Sequence, residues 1–392
     1  MRILLVHNQY QHRGGEDTVL ESELKLLQKY GETVDTLMFN NDQIKSPLDK
    51  IKYGFYSFYN PESSRLLESK INDFSPDVIH VHNFFPIVSP ALFYTANKHG
   101  IPIVMTLHNY RLICPNAMFF RDDQVCEACI SKSFALDGVL HGCYRNSRVQ
   151  TLFLASMTWF HRTVGTWHDR VDKYILLTQF AKNKFLHSSL KLLDTKMAIK
   201  SNFVEDRGFD LEKEDYSLFV GRLSKEKGIE TLLEAFKNST RKLVIVGTGP
   251  LSRNVEEYTR KYPNIQYAGF QSIDFIIAKL KKAKALIFTS IWFEGMPMTI
   301  LEAFSAATPV ICGDFGGPAE IVQDKKTGLV YRVGDSADLF KKVEWLYDHH
   351  SEHSLMCTNA RVEFEKKYSE QGNYHQLLSI YKDVISDKKK NY

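Results

Sequence analysis

Long hydrophobic runs are missing from this chain of 392 residues. A membrane-spanning helix needs roughly 20 consecutive apolar residues, and the longest candidate, TLFLASMTWF, has about half that length. The opening segment, MRILLVHN, is too short for a signal-peptide core and has no cleavage site after it, so it is predicted to be a first strand. We therefore expect a protein that is made and kept in the cytoplasm.

Internal repeats, low-complexity segments and a G-x-G-x-x-G signature are also absent from the sequence. The missing glycine signature counts against a dinucleotide-dependent enzyme. Apolar residues make up 44% of the chain and charged residues 24%, which is ordinary for a soluble globular protein and excludes a fibre. The length suffices for two domains of ordinary size.

What the sequence does contain is a regular alternation of apolar runs with helix-length amphipathic segments. This alternation predicts parallel sheets with crossover helices. The predicted strands form two series, Ile3–Val6, Val34–Phe39, Val78–Val81, Ile103–Leu107 and Tyr174–Leu177, then Leu218–Val220, Leu243–Val246, Ile265–Ala268, Ala285–Phe288, Val310–Ile311 and Leu329–Tyr331. We therefore predict an α/β protein with two doubly wound domains, residues 1–200 and 217–370, joined by an acidic, polar linker at residues 203–216.

Two carboxylates separated by seven residues stand out in TSIWFEGMPMTILEAF, residues 289–304. Glu294 lies in a turn after an apolar strand, and Glu302 lies two turns into the helix that follows. The backbone that begins this helix is predicted at Gly295, Met296, Pro297 and Met298. A helix N-terminus attracts an anion such as phosphate. A carboxylate before it suits sugar hydroxyls and one behind it suits a ribose, so the stretch predicts a nucleotide-sugar pocket.

This stretch resembles the E-x7-E signature of retaining glycosyltransferases with the GT-B architecture, family four in particular. Further segments match in the same order, namely VGRLSKEKG at 220–228, LVIVGTGP at 243–250, QYAGF at 266–270 and PVICGDFGGPAEIVQDKKTG at 309–328. The match is strongest over residues 215–335. The resemblance implies two Rossmann-like domains facing a central cleft, with residues 371–392 forming a C-terminal helix that crosses back to the first domain.

The resemblance also implies roles in the second domain. Arg222 and Lys227 would hold the donor diphosphate, since both are cations and Arg can grip two phosphate oxygens. Glu294 would bind the donor sugar's hydroxyls and Glu302 the ribose hydroxyls. The alternatives are a surface loop with solvated charges for the two cations, and a capping Glu294 with an exposed Glu302.

Other residues are matched to the family at the base and in the first domain. The backbone at Gly269 and Phe270 would meet the nucleotide base. Gly14 and Gly15 precede a helix, where glycine lets the backbone approach a phosphate. His108 ends a strand and corresponds to the family's histidine beside the reacting sugar, where a neutral imidazole favours positive charge at the anomeric carbon. A hydrogen-bonded strand-end histidine is the alternative.

Four more polar residues accompany these in the first half. His80 and His82 alternate along one predicted strand, so they lie on the same face, and we interpret them as pocket scaffold. Glu16 and Asp17 are predicted to cap the first helix, with contact to a sugar acceptor as the alternative.

The sequence has only six cysteines, and four of them fall within a predicted insert at residues 111–147. A cytoplasmic protein is not expected to hold stable disulfides. Four thiols with a central C-x2-C are the ligand set of a closed, structural zinc site. Zinc is thus predicted, with free or redox thiols as the alternative, for Cys114, Cys126, Cys129 and Cys143.

Positive charge is concentrated between residues 151 and 200, where eight Lys or Arg stand against three Asp. The aromatic residues of the same segment include Phe153, Trp159, Phe160 and Trp167. Basic and aromatic residues together suit contact with anionic lipid headgroups. A buried amphipathic helix with solvated lysines is the alternative, and nucleic acid is disfavoured because no recognition module is visible.

The function that the resemblance implies is retaining transfer of a hexose-type sugar from a nucleoside-diphosphate sugar, UDP being favoured. The acceptor would be a saccharide or a polyprenyl-linked saccharide, as in surface polysaccharide assembly, with peripheral contact at the inner membrane face. No Asp-x-Asp occurs, so no catalytic metal is expected. A sugar-nucleotide 2-epimerase or phosphorylase of the same architecture, or an inactive nucleotide-sugar-binding relative, are the alternatives.

Overall fold

The computed structural model describes residues 1–11, 14–237 and 239–390, and the chain divides into two units. The first unit comprises Met1–Phe119, Glu127–Lys200 and the chain from Tyr374 onward. The second comprises Phe120–Cys126 and Ser201–Asn373. Each unit is built on one parallel sheet of six strands, which confirms the predicted α/β class and the two doubly wound series.

The strands, in chain order, are β1 (Arg2–Gln9), β2 (Thr33–Asn40), β3 (Val78–Asn83), β4 (Ile103–Leu107), β5 (Phe120–Arg121), β6 (Gln124–Val125), β7 (Lys173–Leu176), β8 (Met197–Ile199), β9 (Tyr216–Val220), β10 (Lys242–Val246), β11 (Ile265–Gly269), β12 (Ala285–Phe288), β13 (Val310–Gly313) and β14 (Gly328–Tyr331). The helices are α1 (Gly15–Lys29), α2 (Pro47–Tyr56), α3 (Pro61–Phe74), α4 (Ala91–Lys98), α5 (Leu136–Leu140), α6 (Arg148–Thr163), α7 (Thr166–Asp169), α8 (Gln179–Leu186), α9 (Ile229–Phe236), α10 (Ser252–Lys261), α11 (Ile273–Lys282), α12 (Met298–Ser305), α13 (Gly316–Ile321), α14 (Ser336–Asp348), α15 (His350–Lys367) and α16 (Glu370–Lys390).

The sheet of the first unit has the order β2-β1-β3-β4-β7-β8. Its strands are apolar because helices cover both faces of a parallel sheet, and Ile3–Val6 in β1 is fully buried. The strand order reverses direction between β1 and β3. Ligands of doubly wound sheets bind beyond the carboxyl ends of the strands at such a reversal.

The sheet of the second unit has the order β11-β10-β9-β12-β13-β14, and its reversal lies between β9 and β12. Its core is formed by apolar side chains of the strands and of α9 and α14, including Leu232, Phe236, Ile245, Ile287 and Leu346. The loops after β9 and β12 carry the predicted cations and Glu294. The fold therefore gathers this part of the predicted site at one point.

The units differ from the predicted domains at the insert and at the predicted linker, residues 203–216, which lies within the second unit. Residues 120–126, which form the β5–β6 hairpin inside the predicted insert, group with the second unit. The chain from Tyr374 onward groups with the first unit, where the Tyr374 hydroxyl donates to Glu32 over 2.7 Å. In the part of the chain that the structure describes, no helix is long and apolar enough to cross a membrane.

Candidate active site

Lys227 and Glu294 form the centre of the site in the second unit. The Lys227 ammonium donates a hydrogen bond to Oε1 of Glu294, and the Ser290 hydroxyl donates to the same oxygen over 2.8 Å. Glu294 is 7% exposed, so its charge depends on these partners. The ammonium also lies 5.6 Å from the centroid of Trp292. The structure thus brings together a cation and a carboxylate that the sequence predicted for different parts of one substrate.

The loops that carry these two residues are joined by their backbones. The Thr289 hydroxyl donates to the carbonyl of Lys227 over 2.7 Å, and the Ile291 amide donates to the carbonyl of Glu226 over 2.9 Å. Between them Gly228 has a φ of +66°, and a Cβ there would overlap the Thr289 carbonyl. Only glycine allows this close approach of the two backbones. The loop that carries Lys227 and the loop that carries Glu294 are therefore fixed in position relative to each other.

The other predicted phosphate-binding groups lie close by in the same unit. Arg222 follows β9 and its side chain is exposed. Helix α12 begins at Met298, and the preceding Pro297 provides no side-chain cap. The Ile300 amide donates to the Pro297 carbonyl over 3.2 Å, and a helix N-terminus without a side-chain cap favours an anion. Met296 is buried, with its sulfur accepting the Asn202 amide over 3.2 Å, so this side chain supports the helix start.

The segment before α13 packs directly on the Glu294 loop. A Cβ on Gly317 would fall 2.6 Å from the carbonyl oxygen of Gly295, and the rings of Phe293 and Phe315 are 5.4 Å apart. Phe315 and Gly317 lie within the matched segment 309–328, but no role was predicted for them from the sequence. The structure shows that they support the backbone of Gly295 and the residues after it.

Glu302 lies on α12 and is partly buried. Burial raises the pKa of Glu302 to about 7, and the charge of Arg207 opposes this rise. The alternative of a fully exposed Glu302 is therefore wrong. A partly buried carboxyl group can still accept hydrogen bonds from a diol, as the resemblance implies for the ribose.

The predicted base-contacting segment lies at the end of β11. Gly269 has a φ of +67°, and its carbonyl accepts the Gly247 amide over 2.8 Å. Phe270 follows it and is 80% exposed. These residues are in the second unit, as are the two cations and both carboxylates.

The glycine pair of the first unit precedes α1. The Gly14 amide donates to Oδ2 of Asp17 over 2.8 Å, while Oδ1 of Asp17 lies 2.8 Å from Nε2 of His7. Asp17 therefore caps the helix, one of the two roles proposed for it. Gly15 is the first residue of α1, and a Cβ there would meet no atom within 4 Å.

Glu16 faces a different set of partners. The Tyr10 hydroxyl donates to its Oε2 over 2.9 Å, and the Asn109 amide donates to its Oε1. Burial raises the pKa of Glu16, although Asn109, Tyr10 and Arg111 all act to lower it. Glu16 is thus tied to the residue that follows His108 in sequence.

His108 belongs to a buried polar cluster in the first unit. Its Nε2 lies 3.0 Å from Nδ1 of His82, and Nε2 of His82 lies 3.2 Å from Oε2 of Glu23. The Lys200 ammonium donates to Oε1 of Glu23 over 2.6 Å. The sequence grouped His80 with His82 but missed Glu23 and Lys200, which are 177 positions apart.

His80 is held on both of its ring nitrogens. Nε2 lies 2.8 Å from the Thr106 hydroxyl, and Nδ1 lies 2.7 Å from the hydroxyl of Tyr381 on α16. Burial lowers the pKa of His80 and that of His108 well below their usual range, so both rings are neutral at pH 7. Burial alone would raise the pKa of Glu23, but Lys200 and the histidines hold it well below its usual range.

The predicted zinc ligands are distributed over both units. Cys114, Cys129 and Cys143 are in the first unit and Cys126 is in the second. Burial raises the pKa of Cys129 to about 11, and Cys114 and Cys143 act in the same direction, so these three thiols are neighbours. Among the described residues, the group whose metal-ligating atoms lie within 4.8 Å of one another is instead Glu23, His80 and His82. Zinc at the cysteines stays a prediction.

The basic aromatic segment proves to have both buried and exposed members. Trp159 and Phe160 are 43% and 44% exposed on α6. Trp167 is fully buried among aromatic rings, and Lys200 is 1% exposed in its ion pair with Glu23, so the prediction of surface positions is wrong for these two. Composition alone does not reveal which side chains have internal partners.

Helix α2 lies against α6 and extends this exposed surface. The rings of Phe55 and Phe153 are 5.1 Å apart. We define the α2–α6 face by its exposed apolar residues, Leu48, Ile51, Phe55, Val149, Leu152, Trp159 and Phe160. Exposed cations accompany them, Lys50, Lys52, Arg145 and Arg148.

Sequence profiles of known families match most of the chain. The profile described as Glycosyltransferase Family 4 matches residues 42–192, and the one described as Glycosyl transferases group 1 matches residues 204–363. The chain belongs to glycosyltransferase family 4. The motifs on which the resemblance was based lie within the second match, and most of the first domain lies within the first.

Relatives of this family 4 glycosyltransferase agree with the assignment. An uncharacterized glycosyltransferase of Methanocaldococcus jannaschii is 26% identical over 79% of this chain and 76% of its own length. The O-antigen chain mannosyltransferase C of Escherichia coli is 27% identical over 45% of this chain and 48% of its own. The fold is shared with HepE of Anabaena, solved in complex with UDP, at a TM-score of 0.65 and 14% identity over 98% of this chain and all of that chain.

Proposed function

We propose that this family 4 glycosyltransferase transfers a hexose-type sugar, with retention, from a nucleoside-diphosphate sugar to a saccharide or polyprenyl-linked saccharide in surface polysaccharide assembly. The observation that carries the proposal is the Lys227–Glu294 pair beside the uncapped N-terminus of α12. A cation with free helix amides suits a diphosphate, and an adjacent carboxylate suits the sugar attached to it.

The first requirement of the reaction is stabilisation of the leaving diphosphate. The bond between the anomeric carbon and the phosphate oxygen breaks, and both electrons go to that oxygen. Lys227, the exposed Arg222 and the first amides of α12 are the groups we assign to this developing charge. These fixed charges supply the stabilisation without a catalytic metal in the proposed mechanism.

The second requirement is positioning of the sugar. Glu294 would accept hydrogen bonds from its hydroxyls through Oε2, since Oε1 already accepts from Ser290 and Lys227. The acceptor hydroxyl oxygen bonds to the anomeric carbon on the face that the diphosphate leaves, and its proton passes to the leaving phosphate oxygen. Because the new bond forms on the face that the diphosphate leaves, the configuration at the anomeric carbon is retained without a protein nucleophile.

The donor that we favour is a UDP-sugar. The exposed Phe270 and the backbone of Gly269 are the groups assigned to the base, and the partly buried Glu302 is assigned to the ribose. HepE, which shares the fold, was solved with UDP and with UDP-glucose. The O-antigen mannosyltransferase among the relatives supports a role in surface polysaccharide assembly.

The α2–α6 face supports a lipid-linked acceptor and peripheral contact with a membrane. Exposed aromatic and aliphatic side chains beside cations suit an anionic lipid surface. A groove next to this face is lined by apolar side chains, Ile44, Tyr53, Phe85 and Phe153, and by two cations, Lys50 and Arg145. Such a groove suits a lipid chain that carries a phosphate.

The test is release of nucleoside diphosphate from a panel of UDP- and GDP-hexoses, with and without a polyprenyl-linked saccharide. We expect acceptor-dependent release and an α-linked product from an α-linked donor. Glu294→Gln should lower turnover by about 100-fold or more, because the carboxylate acts on the reacting sugar. Glu352→Gln, on the exposed side of α15, is the matched control and should leave turnover unchanged.

The alternatives give different results in the same assay. An epimerase would convert the donor into its isomer without needing an acceptor, and a phosphorylase would depend on pyridoxal phosphate. An inactive relative would bind the donor without turnover. Turnover like that of the wild-type protein in the Glu294→Gln variant would contradict the site that we propose.

We also propose that the cysteine cluster binds structural zinc. The proposal is supported by the C-x2-C spacing and by the effect of Cys114 and Cys143 in raising the pKa of Cys129. Four thiolates would close the coordination sphere, so the ion would stabilise the insert and take no part in transfer. Elemental analysis should find about one zinc per chain, and the double variant Cys126→Ser/Cys129→Ser should lose it. A metal-free wild-type protein would contradict the proposal.

A further inference from the structure

A continuous chain of polar groups connects His108 with the interior of the first unit. It consists of Glu23 on α1, His82 on β3 and His108 after β4, and we name it the Glu23–His82–His108 chain. The two imidazole rings lie nearly parallel, with centroids 5.2 Å apart and an interplanar angle of 21°. The two rings are hydrogen-bonded over 3.0 Å, whereas Oε2 of Glu23 and Nε2 of His82 lie 3.2 Å apart without the geometry of a hydrogen bond.

The charge of this chain follows from its buried ion pair. Glu23 and Lys200 are each 1% exposed, and their charges cancel. A proton added to His82 would place a second positive charge beside one carboxylate, in a region without solvent to stabilise it. A single ring hydrogen on His82 avoids this second buried charge.

The position of each hydrogen then follows in order along the chain. The Glu23 carboxylate is only an acceptor, so His82 carries its hydrogen on Nε2 and presents a lone pair on Nδ1. The contact between His82 and His108 needs a donor, which must be Nε2–H of His108. The remaining nitrogen of His108, Nδ1, is consequently an acceptor.

We propose that Glu23 and His82 are positioning residues that fix His108 in the tautomer whose Nδ1 accepts a hydrogen bond. This inference rests on the proposed function for the identity of the donor, a hydroxyl group of the transferred sugar. An acceptor at this place attracts a hydroxyl and repels a phosphate or carboxylate oxygen. A ring nitrogen without a hydrogen would also favour positive charge developing on a sugar bound beside it.

A metal ion is the competing interpretation of the same residues, since ligating atoms of Glu23, His80 and His82 lie within 4.8 Å of one another. Two contacts argue against it. The Lys200 ammonium already balances Glu23, and the Tyr381 hydroxyl already bonds the Nδ1 atom of His80. A divalent cation would have to displace one partner and lie beside the other.

The direct test reads the tautomer of His108 by long-range ¹H–¹⁵N correlation NMR of the full chain labelled on its histidines, with His108→Asn to assign the signals. We expect Nε2–H and an unprotonated Nδ1 throughout pH 6–8. The ionisable groups around the two rings, which the titration must account for, are His7, Asp17, Glu16, Glu23, His80, Lys200 and Tyr381. Nδ1–H in the wild-type protein would overturn the inference, whether or not the protein transfers sugar.

Two substitutions of His82 separate positioning from packing. His82→Gln keeps an acceptor for His108 and a donor for Glu23, whereas His82→Leu keeps only the volume. We expect His82→Leu to mix the His108 tautomers and to lower kcat about 10- to 100-fold, and His82→Gln to restore most of both. His350→Gln, an exposed histidine of the second unit, is the control.

The outcomes are distinguishable from failure of the proposed function. The expected tautomer in a protein without transferase activity would support the positioning role and contradict the proposed function. Transferase activity that is unchanged in a folded His82→Leu variant with mixed tautomers would contradict the positioning role alone. Stoichiometric metal that is lost in that variant would replace the hydrogen-bonded chain by a metal site.

Discussion

At the scale of single residues, the Lys227–Glu294 pair has a consequence for donor binding. The ammonium that we assign to the diphosphate is already bonded to the carboxylate that we assign to the sugar. A donor that binds to both Lys227 and Glu294 must therefore separate or rearrange this ion pair. Its diphosphate would take over the ammonium while its sugar hydroxyls take over the carboxylate. A nucleotide without sugar gains only one of the two contacts, so we expect it to bind less tightly than the intact donor.

Glu302 supplies a prediction about stability and pH. Its folded pKa of about 7 lies above the usual value of 4.5. Between those pH values the folded chain keeps a proton that the unfolded chain has released, so stability falls as pH rises through this window. Glu302→Gln removes the effect. We expect the variant to gain up to about 3 kcal/mol over the wild-type protein at pH 8 and little at pH 4.5.

The measurement is thermal or urea unfolding of both proteins at the two pH values. Glu352→Gln provides the control, because this glutamate is exposed on α15. A stability difference between Glu302→Gln and the wild-type protein that is the same at pH 4.5 and pH 8 would show that burial does not raise the Glu302 pKa.

Residues of the second unit were predicted from sequence better than those of the first. Glu294, Lys227 and the start of α12 belong to short motifs, and their partners lie within the same or a neighbouring loop. Glu23, Lys200 and Tyr381 carry no such local signal. Each is polar within an otherwise apolar pattern, and only the fold brings them to His80 and His82, across up to 301 positions.

At the scale of elements, the turn at Gly228 gives a sharp prediction. Gly228→Ala would place a Cβ on the Thr289 carbonyl at a positive φ, whereas Gly334→Ala has a φ of +79° with nothing within 4 Å. Both variants bear backbone strain of about 1 kcal/mol. Gly228→Ala should lose a further 1–3 kcal/mol or so from overpacking.

The free energy of unfolding in urea measures both variants. Gly228→Ala should also weaken UDP binding, because the loop that carries Lys227 must shift. Equal stability losses in the two variants would mean that the contact between Gly228 and Thr289 is not tight.

The elements themselves were largely predictable because buried parallel strands are continuous apolar runs. The structure has a strand at each of the eleven predicted positions. Strand β8, Met197–Ile199, was not predicted, and only the first of its three residues is buried. The β5–β6 hairpin was also missed, since its two-residue strands contain no buried residue.

At the scale of the whole molecule, the α2–α6 face predicts binding to anionic vesicles. We expect the protein to sediment with phosphatidylglycerol vesicles and to dissociate as salt is raised, because screening weakens the contribution of the cations. The double variant Leu48→Gln/Phe55→Gln should bind the vesicles at least about tenfold more weakly. Each exposed apolar side chain would be buried in the lipid when the wild-type protein binds.

A matched control for the vesicle experiment is Leu355→Gln/Val362→Gln, which removes two similarly exposed apolar residues from α15. This variant should bind as the wild-type protein does. Equal loss of binding in both double variants would indicate non-specific hydrophobic adsorption. Absence of binding in the wild-type protein would contradict lipid contact.

One feature of the whole chain bears on how it is made. The first unit includes residues from both ends, and Tyr381 provides the hydroxyl that satisfies a buried ring nitrogen of His80. The first unit therefore cannot complete its interior until residue 381 has been synthesised. Truncation just before Tyr381 would leave that interior with an unpaired imidazole nitrogen, and the damage would appear some three hundred positions upstream of the lesion.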